Sequence, residues 1–222
     1  MRTFKEIKDA ALAALKGKWG NYCCITLIYS LITGIISNIA SLFVKVDVII
    51  GTICCILICF ALLPPFGYSL TVVFLKAYRG IDSKIADLFN GYKDFLRIVL
   101  TMLLKGIYIL LWSLLLVIPG IVKTISYAMT EFVLNDNPDL KYDKAISRSS
   151  QLMRGHKMDY FLFALSFIGW AILCMMTFGI GYFWLIPYFH TAKAGFYNDL
   201  LAEEAKAGNI GNEPQPEILP AE

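Results

Sequence analysis

Apolar runs about twenty residues long alternate with short amphipathic segments, and that alternation predicts the elements of the chain. Residues 22–44 and 48–75 read as two helical spans joined by a turn holding Lys45 and Asp47, the second span interrupted by Pro64-Pro65. Residues 95–118 form a third span, Pro119-Gly120 a turn, and residues 121–134 a short, more polar fourth. Residues 159–177 form a fifth span, and 182–201 a sixth, kinked at Pro187. About 20 consecutive apolar residues are what a helix needs to cross a hydrocarbon core roughly 30 Å thick. Proline inside such a span kinks it and frees carbonyls that neighbours must satisfy. A membrane β-barrel would instead show alternating segments of about 10 residues. The pattern predicts an all-α, polytopic membrane protein with six transmembrane helices arranged as three hairpins.

Each hairpin is preceded by an amphipathic segment. Residues 2–16 carry a capping box, Thr3 with Glu6, and place Phe4, Ile7, Ala11, Leu12 and Leu15 on one face. In residues 81–90, Ser83 is the expected cap, and Ile85, Leu88, Phe89 and Tyr92 form the stripe. In residues 137–154, Asn137 is the expected cap and Pro138 fits the first turn. The three segments end at Gly17-Lys18-Trp19, Gly91-Tyr92-Lys93 and Gly155-His156-Lys157, each followed by an aromatic residue: Tyr22, Phe95 and Tyr160. Residues 1–206 therefore read as one transmembrane domain of three divergent units, 1–79, 80–136 and 137–206, with a polar tail, 207–222, expected to be a disordered cytoplasmic segment.

Charge fixes the orientation. Five Lys or Arg lie in residues 1–20, five in 76–97 and five in 141–157. By the positive-inside rule all three amphipathic segments and both termini face the cytoplasm. There a basic surface meets anionic headgroups, at about 1 kcal/mol per Lys or Arg near the surface. The charged segment before the first apolar run is itself helix-forming, and that run exceeds the 7–15 residues of a signal-peptide core, so it is expected to be retained. Composition agrees with the class: 58% of residues are hydrophobic and only 17% charged, against about 25% charged in soluble domains. A net charge of +3 gives no support to a nucleic-acid role.

Candidate chemistry is sparse. Cys23, Cys24, Cys54, Cys55, Cys59 and Cys174 all lie inside apolar runs, at spacings that match no zinc motif, and read as packed, reduced thiols. Two histidines without a Cys, Asp or Glu at ligand spacing predict no metal site, and no cofactor fingerprint is present. Lys105 lies inside the third span, where an ionisable residue either lines a solute pathway, snorkels or pairs with a carboxylate; Glu131 is the expected partner. Lys123, Glu131, His190 and Lys193 would join Lys105 around a polar cavity if one exists, and His190 and Lys193 share a helical face. Lys18, Lys93, Arg148, Arg154, His156 and Lys157 are candidate headgroup-binding residues. Their turns also serve as plain topology signals.

The run LNDNPDLKYDKAISRSSQLMRGHKMDYFLFALSFIGW, followed by GIGYFWLIPYFHTAKAGFYNDL, resembles the uncharacterised bacterial membrane proteins grouped as domain-of-unknown-function family 975. The opening FKEIKDAALAALKGKWGNYCCITLIY is similar to that family's N-terminus. The resemblance covers nearly all of the chain except the tail. It implies a multipass protein of the bacterial cell membrane and supplies no activity, substrate or catalytic residue. A fainter likeness is to the membrane region beside some glycerophosphodiester phosphodiesterase domains, whose catalytic domain has no counterpart in this sequence. The expected function is non-catalytic: holding lipid headgroups, another membrane protein or a second copy of the chain, in envelope homeostasis, secretion or peptide immunity. The alternative is a solute or lipid transporter with a polar cavity between the proline-kinked spans.

Overall fold

The computed structural model describes residues 2–46, 48–206 and 208. These residues contain helices and no strand. The expected disordered tail falls outside them except for Gly208, and so do the side chains of Lys45 and Asp47.

Helix α1, Phe4–Leu15, begins at the expected capping box. The Thr3 backbone N–H donates to the Glu6 carboxylate at 2.7 Å, and the Glu6 N–H donates to Thr3 Oγ1 at 3.4 Å. Ile7, Ala11 and Leu15, four residues apart, are fully buried against α3 (Val48–Tyr78) and α10 (Tyr182–Lys206). Gly17, at φ +78, turns the chain into α2, Trp19–Val46. Helices α2 and α3 pack along one another, and α3 continues through Pro64 and Pro65.

The second amphipathic segment differs from expectation. It is a 3-10 helix, Ile85–Tyr92, and Ser83 does not cap it. Asp87 reaches back to the Lys84 N–H at 3.0 Å and also accepts from Asn90 at 2.8 Å, which tightens the turn. Ser83 instead donates to the Val73 carbonyl at 3.4 Å. The segment docks beside the proline pair: the Gly91 N–H donates to Ser69 Oγ at 2.8 Å, and that hydroxyl donates to the Pro65 carbonyl at 2.9 Å. A Cβ at Gly91 would overlap both oxygens.

Helix α4, Phe95–Leu115, turns at the extended residue Leu116 into α5, Val117–Ser126. The expected turn at Pro119-Gly120 is therefore misplaced. Pro119 is the third residue of α5, where a missing N–H leaves no intrahelical bond unmade. Helix α6, Thr130–Asp136, follows, and Asn137 closes it rather than opening the next helix: its amide donates to the Val133 carbonyl at 3.2 Å. The third amphipathic helix, α7, is only Asp143–Leu152 and starts after Tyr142, held at φ 49. The shortening traces to Arg97, whose guanidinium donates to the carbonyls of Leu134, Asn137, Pro138 and Leu140 at 2.6–3.4 Å. Those carbonyls face Arg97 and hold residues 137–140 outside a helical ladder.

The expected fifth span is two helices, α8 (Lys157–Leu165) and α9 (Ile168–Met176). The expected turn at residues 178–181 is present, with Phe178 at φ 52 and Gly179 at φ 84. Among the described residues, five stretches are long and apolar enough to cross a membrane: Trp19–Ile39, Val48–Tyr78, Phe95–Leu115, Val117–Asp136 and Lys157–Met176. The expected sixth, in α10, is long but too polar. Its second half buries Thr191, Asn198 and Asp199 among α1, α3 and α7.

Burial is lopsided. Two apolar clusters share α3. One joins α1, α4, α6, α7, α8 and α10 around Phe132, Phe163 and Phe196. The other joins α2 and the 3-10 helix around Tyr22, Phe66 and Phe74. Both lie at the ends of the long helices that carry the amphipathic segments. The opposite ends expose large apolar side chains, including Leu31, Ile35, Ile49 and Leu57 on the first hairpin, Leu110, Leu114 and Val117 on the second and Ile168, Met176 and Trp184 on the third.

Candidate functional site

Four helices bring polar groups together inside the packed end. Lys105 on α4 donates to Glu131 Oε1 on α6 at 3.2 Å, and Lys193 on α10 approaches Oε2 at 3.6 Å. Thr71 on α3 donates to Oε2 at 3.3 Å and to the Gly67 carbonyl at 3.1 Å. The Lys193 ammonium also lies 5.4 Å from the centre of the Phe132 ring. Two cations thus share one carboxylate. The side chains stay 12–20% exposed, so the cluster is not sealed.

His190 is adjacent in sequence to this face, but its ring stacks on Phe74 at 5.5 Å, with Phe189 edge-on at 6.0 Å. Its Nδ1 is buried without a hydrogen-bond partner among the described residues. It helps line a cleft between α9 and α10 whose other walls, including Phe167, Ile168, Leu185 and Ile186, are apolar. Lys123 is elsewhere: its ammonium sits over Trp112 at 4.7 Å and near Tyr127 at 5.8 Å, on the second hairpin.

The headgroup candidates divide by environment. Lys93 and Arg154 are exposed. Lys18 is ion-paired with Asp82, and that carboxylate raises the lysine's pKa. Arg148 makes a two-point pair with Glu204 at 2.7 and 2.8 Å. His156 lies between Asp159 at 3.4 Å and Glu203 at 3.9 Å, and Lys157 beside it is half-buried.

Other contributors were not singled out from sequence. Arg79 grips Asp136 through its two terminal guanidinium nitrogens and also reaches Asn198, while the Tyr197 hydroxyl donates to the same carboxylate at 3.0 Å. Arg2 pairs with Asp199 and donates to the Tyr78 hydroxyl at 2.6 Å, contacts that push its already high pKa further up. Lys8 on α1 donates to the Ser166 carbonyl at 3.4 Å and lies 4.5 Å from the centre of the Phe167 ring, where burial lowers its pKa. These partners lie far apart in sequence, so no local spacing signals them. The only hint for Lys8 was its place off the apolar face of α1.

Among the described residues no group of three or more His, Cys, Asp or Glu could hold a metal ion. The arrangement ties helix ends together by charge and leaves cations at the rim of the packed end. Neither the curated proteins nor the solved structures contain a match to the chain. The model of one family, described as protein of unknown function (DUF975), matches residues 1–129 and 114–204, and the chain belongs to that family.

Proposed function

We propose that the protein is a non-catalytic multipass protein of the bacterial cell membrane that gathers anionic lipid headgroups on a basic cytoplasmic layer. In this reading both termini and the three amphipathic segments face the cytoplasm. The three hairpins, one per divergent unit, point into the bilayer. The observation that carries it is the lopsided burial: a charge-tied, well-packed end with Lys8, Lys93 and Arg154 at its surface or rim, and opposite ends that expose Leu, Ile, Val, Met and Phe. Apolar surface of that extent is stable only against lipid or another apolar partner. Basic groups beside it meet the negative potential of the inner leaflet.

The ion pairs favour this reading over a solute pathway. Lys105 and Lys193 both end on Glu131, and the cleft between α9 and α10 has apolar walls. The test is native mass spectrometry of protein extracted with mixed phosphatidylglycerol and phosphatidylethanolamine. The expected result is selective retention of the anionic lipid, reduced severalfold in a Lys93→Gln, Arg154→Gln double variant. Equal retention of both lipids by the unmodified chain would remove the headgroup role.

A further inference from the structure

The second and third hairpins carry a depth scale. On the outgoing arm of the second, the Tyr108 hydroxyl donates to Asp143 Oδ1 at 3.1 Å, and Asp143 stands with Lys141 and Lys144 on an exposed, charged edge. That edge belongs in water or among headgroups. Leu116, at the turn, is about eight residues further on, or roughly 12 Å at 1.5 Å per residue. On the return arm, the Ser126 carbonyl accepts from Ser149 of the polar helix α7 at 3.0 Å, about nine residues or roughly 14 Å from Val117. On the third hairpin, the Lys8 ammonium marks the water level at Ser166 and Phe167. The turn at Phe178 lies about twelve residues beyond, at most roughly 18 Å. A hydrocarbon core is about 30 Å thick. Neither arm reaches its far side.

The side chains of both turns suit hydrocarbon. A turn that emerged on the far side would meet water, yet residues 114–120 read LLLVIPG and 175–181 read MMTFGIG, without a charge. Leu114 is 83% and Phe178 100% exposed. Backbone left unpaired in lipid costs several kcal/mol per group. In the third turn, every amide from Thr177 to Leu185 is hydrogen-bonded within the turn and its flanking helices. Eight donate to backbone carbonyls at 3.0–3.2 Å, and Gly181 donates to Thr177 Oγ1 at 3.2 Å. The first hairpin contrasts. Its helices have 28 and 31 residues, roughly 42 and 46 Å long, and the sequence carries Lys45 and Asp47 near where they meet.

We infer that only the first hairpin crosses the membrane, and that the second and third enter the cytoplasmic leaflet as apolar wedges and turn back inside the hydrocarbon. The partner for these two surfaces is the acyl-chain region of one leaflet. The inference rests on the membrane orientation proposed above. It adds that the chain displaces lipid from the inner leaflet more than from the outer, so its packing is sensitive to curvature.

Single cysteines at Val48, Leu116 and Phe178, in a chain otherwise cleared of cysteine, test it in whole cells and inverted vesicles with a membrane-impermeant maleimide. Val48→Cys is expected to label from outside. Leu116→Cys and Phe178→Cys are expected to stay unlabelled from either side until detergent is added. Labelling of Phe178→Cys or Leu116→Cys from outside, to the level of Val48→Cys, would overturn the inference. Release of the unmodified chain by alkaline carbonate would instead overturn the membrane reading beneath it. A second measurement keeps the native cysteines: Phe178→Lys is expected to cut membrane accumulation severalfold and Val48→Lys to leave it unchanged. Equal tolerance of the two lysines would also refute the wedge.

Discussion

Arg79 and Asp136, 57 residues apart in the chain, face each other through two hydrogen bonds of 2.8 and 2.7 Å, and the Asp136 side chain is only 3% exposed. The pair ties the end of α3 to the end of α6, and Asn198 and Tyr197 bring in α10. Removing one partner of such a pair strands the other charge, at a cost of about 3–5 kcal/mol. Arg79→Met is therefore expected to destabilise strongly, and Arg79→Met with Asp136→Leu to recover much of the loss. Thermal unfolding in detergent checks this. A double variant no more stable than the single one would mean that the pair does not act as a unit.

Glu131 offers a prediction about order rather than size. Lys105→Met leaves Glu131 paired with Lys193, a balanced contact. Glu131→Gln leaves two ammonium groups around one neutral amide. The second change is expected to cost about 2 kcal/mol and the first about 1 kcal/mol or less, because the partly exposed cluster is screened. Chemical denaturation of the two variants gives the comparison. The reverse order would show that Lys105 supports the fold in some way other than charge.

These charge pairs also mark where the sequence was legible. The Thr3 and Glu6 box, the α2 and α3 hairpin, the turn near Gly179 and the Lys105–Glu131 contact follow from spacing along one helix or between neighbouring ones. Pro119 and Asn137 misled because each residue suits two positions. Proline is as acceptable in the first turn of α5 as in the turn before it, and asparagine closes α6 as readily as it would open α7. Arg97 could not be read as the clamp on residues 134–140, because its effect depends on α4 lying beside α7 and the segment that leads into it. Hydropathy registers apolar side chains without showing which face protein and which face lipid. Of the α5–α6 window, 44% is buried inside the protein, against 11–17% for the other four stretches.

Arg97 provides a third prediction. Arg97→Lys retains the charge but loses the planar fork that serves several carbonyls. Leaving a buried carbonyl such as that of Leu134 without a donor costs about 1–3 kcal/mol. Faster amide exchange is expected across residues 134–142, with α2 unchanged. An exchange pattern identical to that of the unmodified chain would mean that the loop is held by other contacts.

The Glu6 carboxylate has its pKa lowered, chiefly by the Thr3 backbone N–H and then by the Thr3 hydroxyl. A folded pKa below the unfolded value means the carboxylate form is favoured by folding. Its contribution is present above the unfolded pKa, ordinarily near 4.3, and is lost as pH falls through the folded one. The first turn of α1 is expected to fray on acidification below that range and to stay closed at neutral pH. Amide exchange of residues 4–7 against pH reports it. Glu6→Gln, which keeps an acceptor but cannot titrate, is expected to flatten that dependence while leaving a capped helix.

Gly195 is a site where one methyl group decides packing. A Cβ there would meet the Tyr78 ring at 2.8 Å and Ile7 Cγ2 at 3.3 Å, where α10 presses against α3 and α1. Tyr78 cannot swing away freely, since its hydroxyl accepts from Arg2, which in turn holds Asp199. Overpacking of this kind costs about 1–3 kcal/mol. It more than offsets the gain of about 1 kcal/mol that alanine brings over glycine inside a helix. Gly195→Ala is thus expected to lower the unfolding temperature, and Gly195→Ala with Tyr78→Leu to restore part of it by making room. A neutral Gly195→Ala would show that α10 can shift away from α3 without loss, and that the Arg2, Tyr78 and Asp199 contacts do not fix its position.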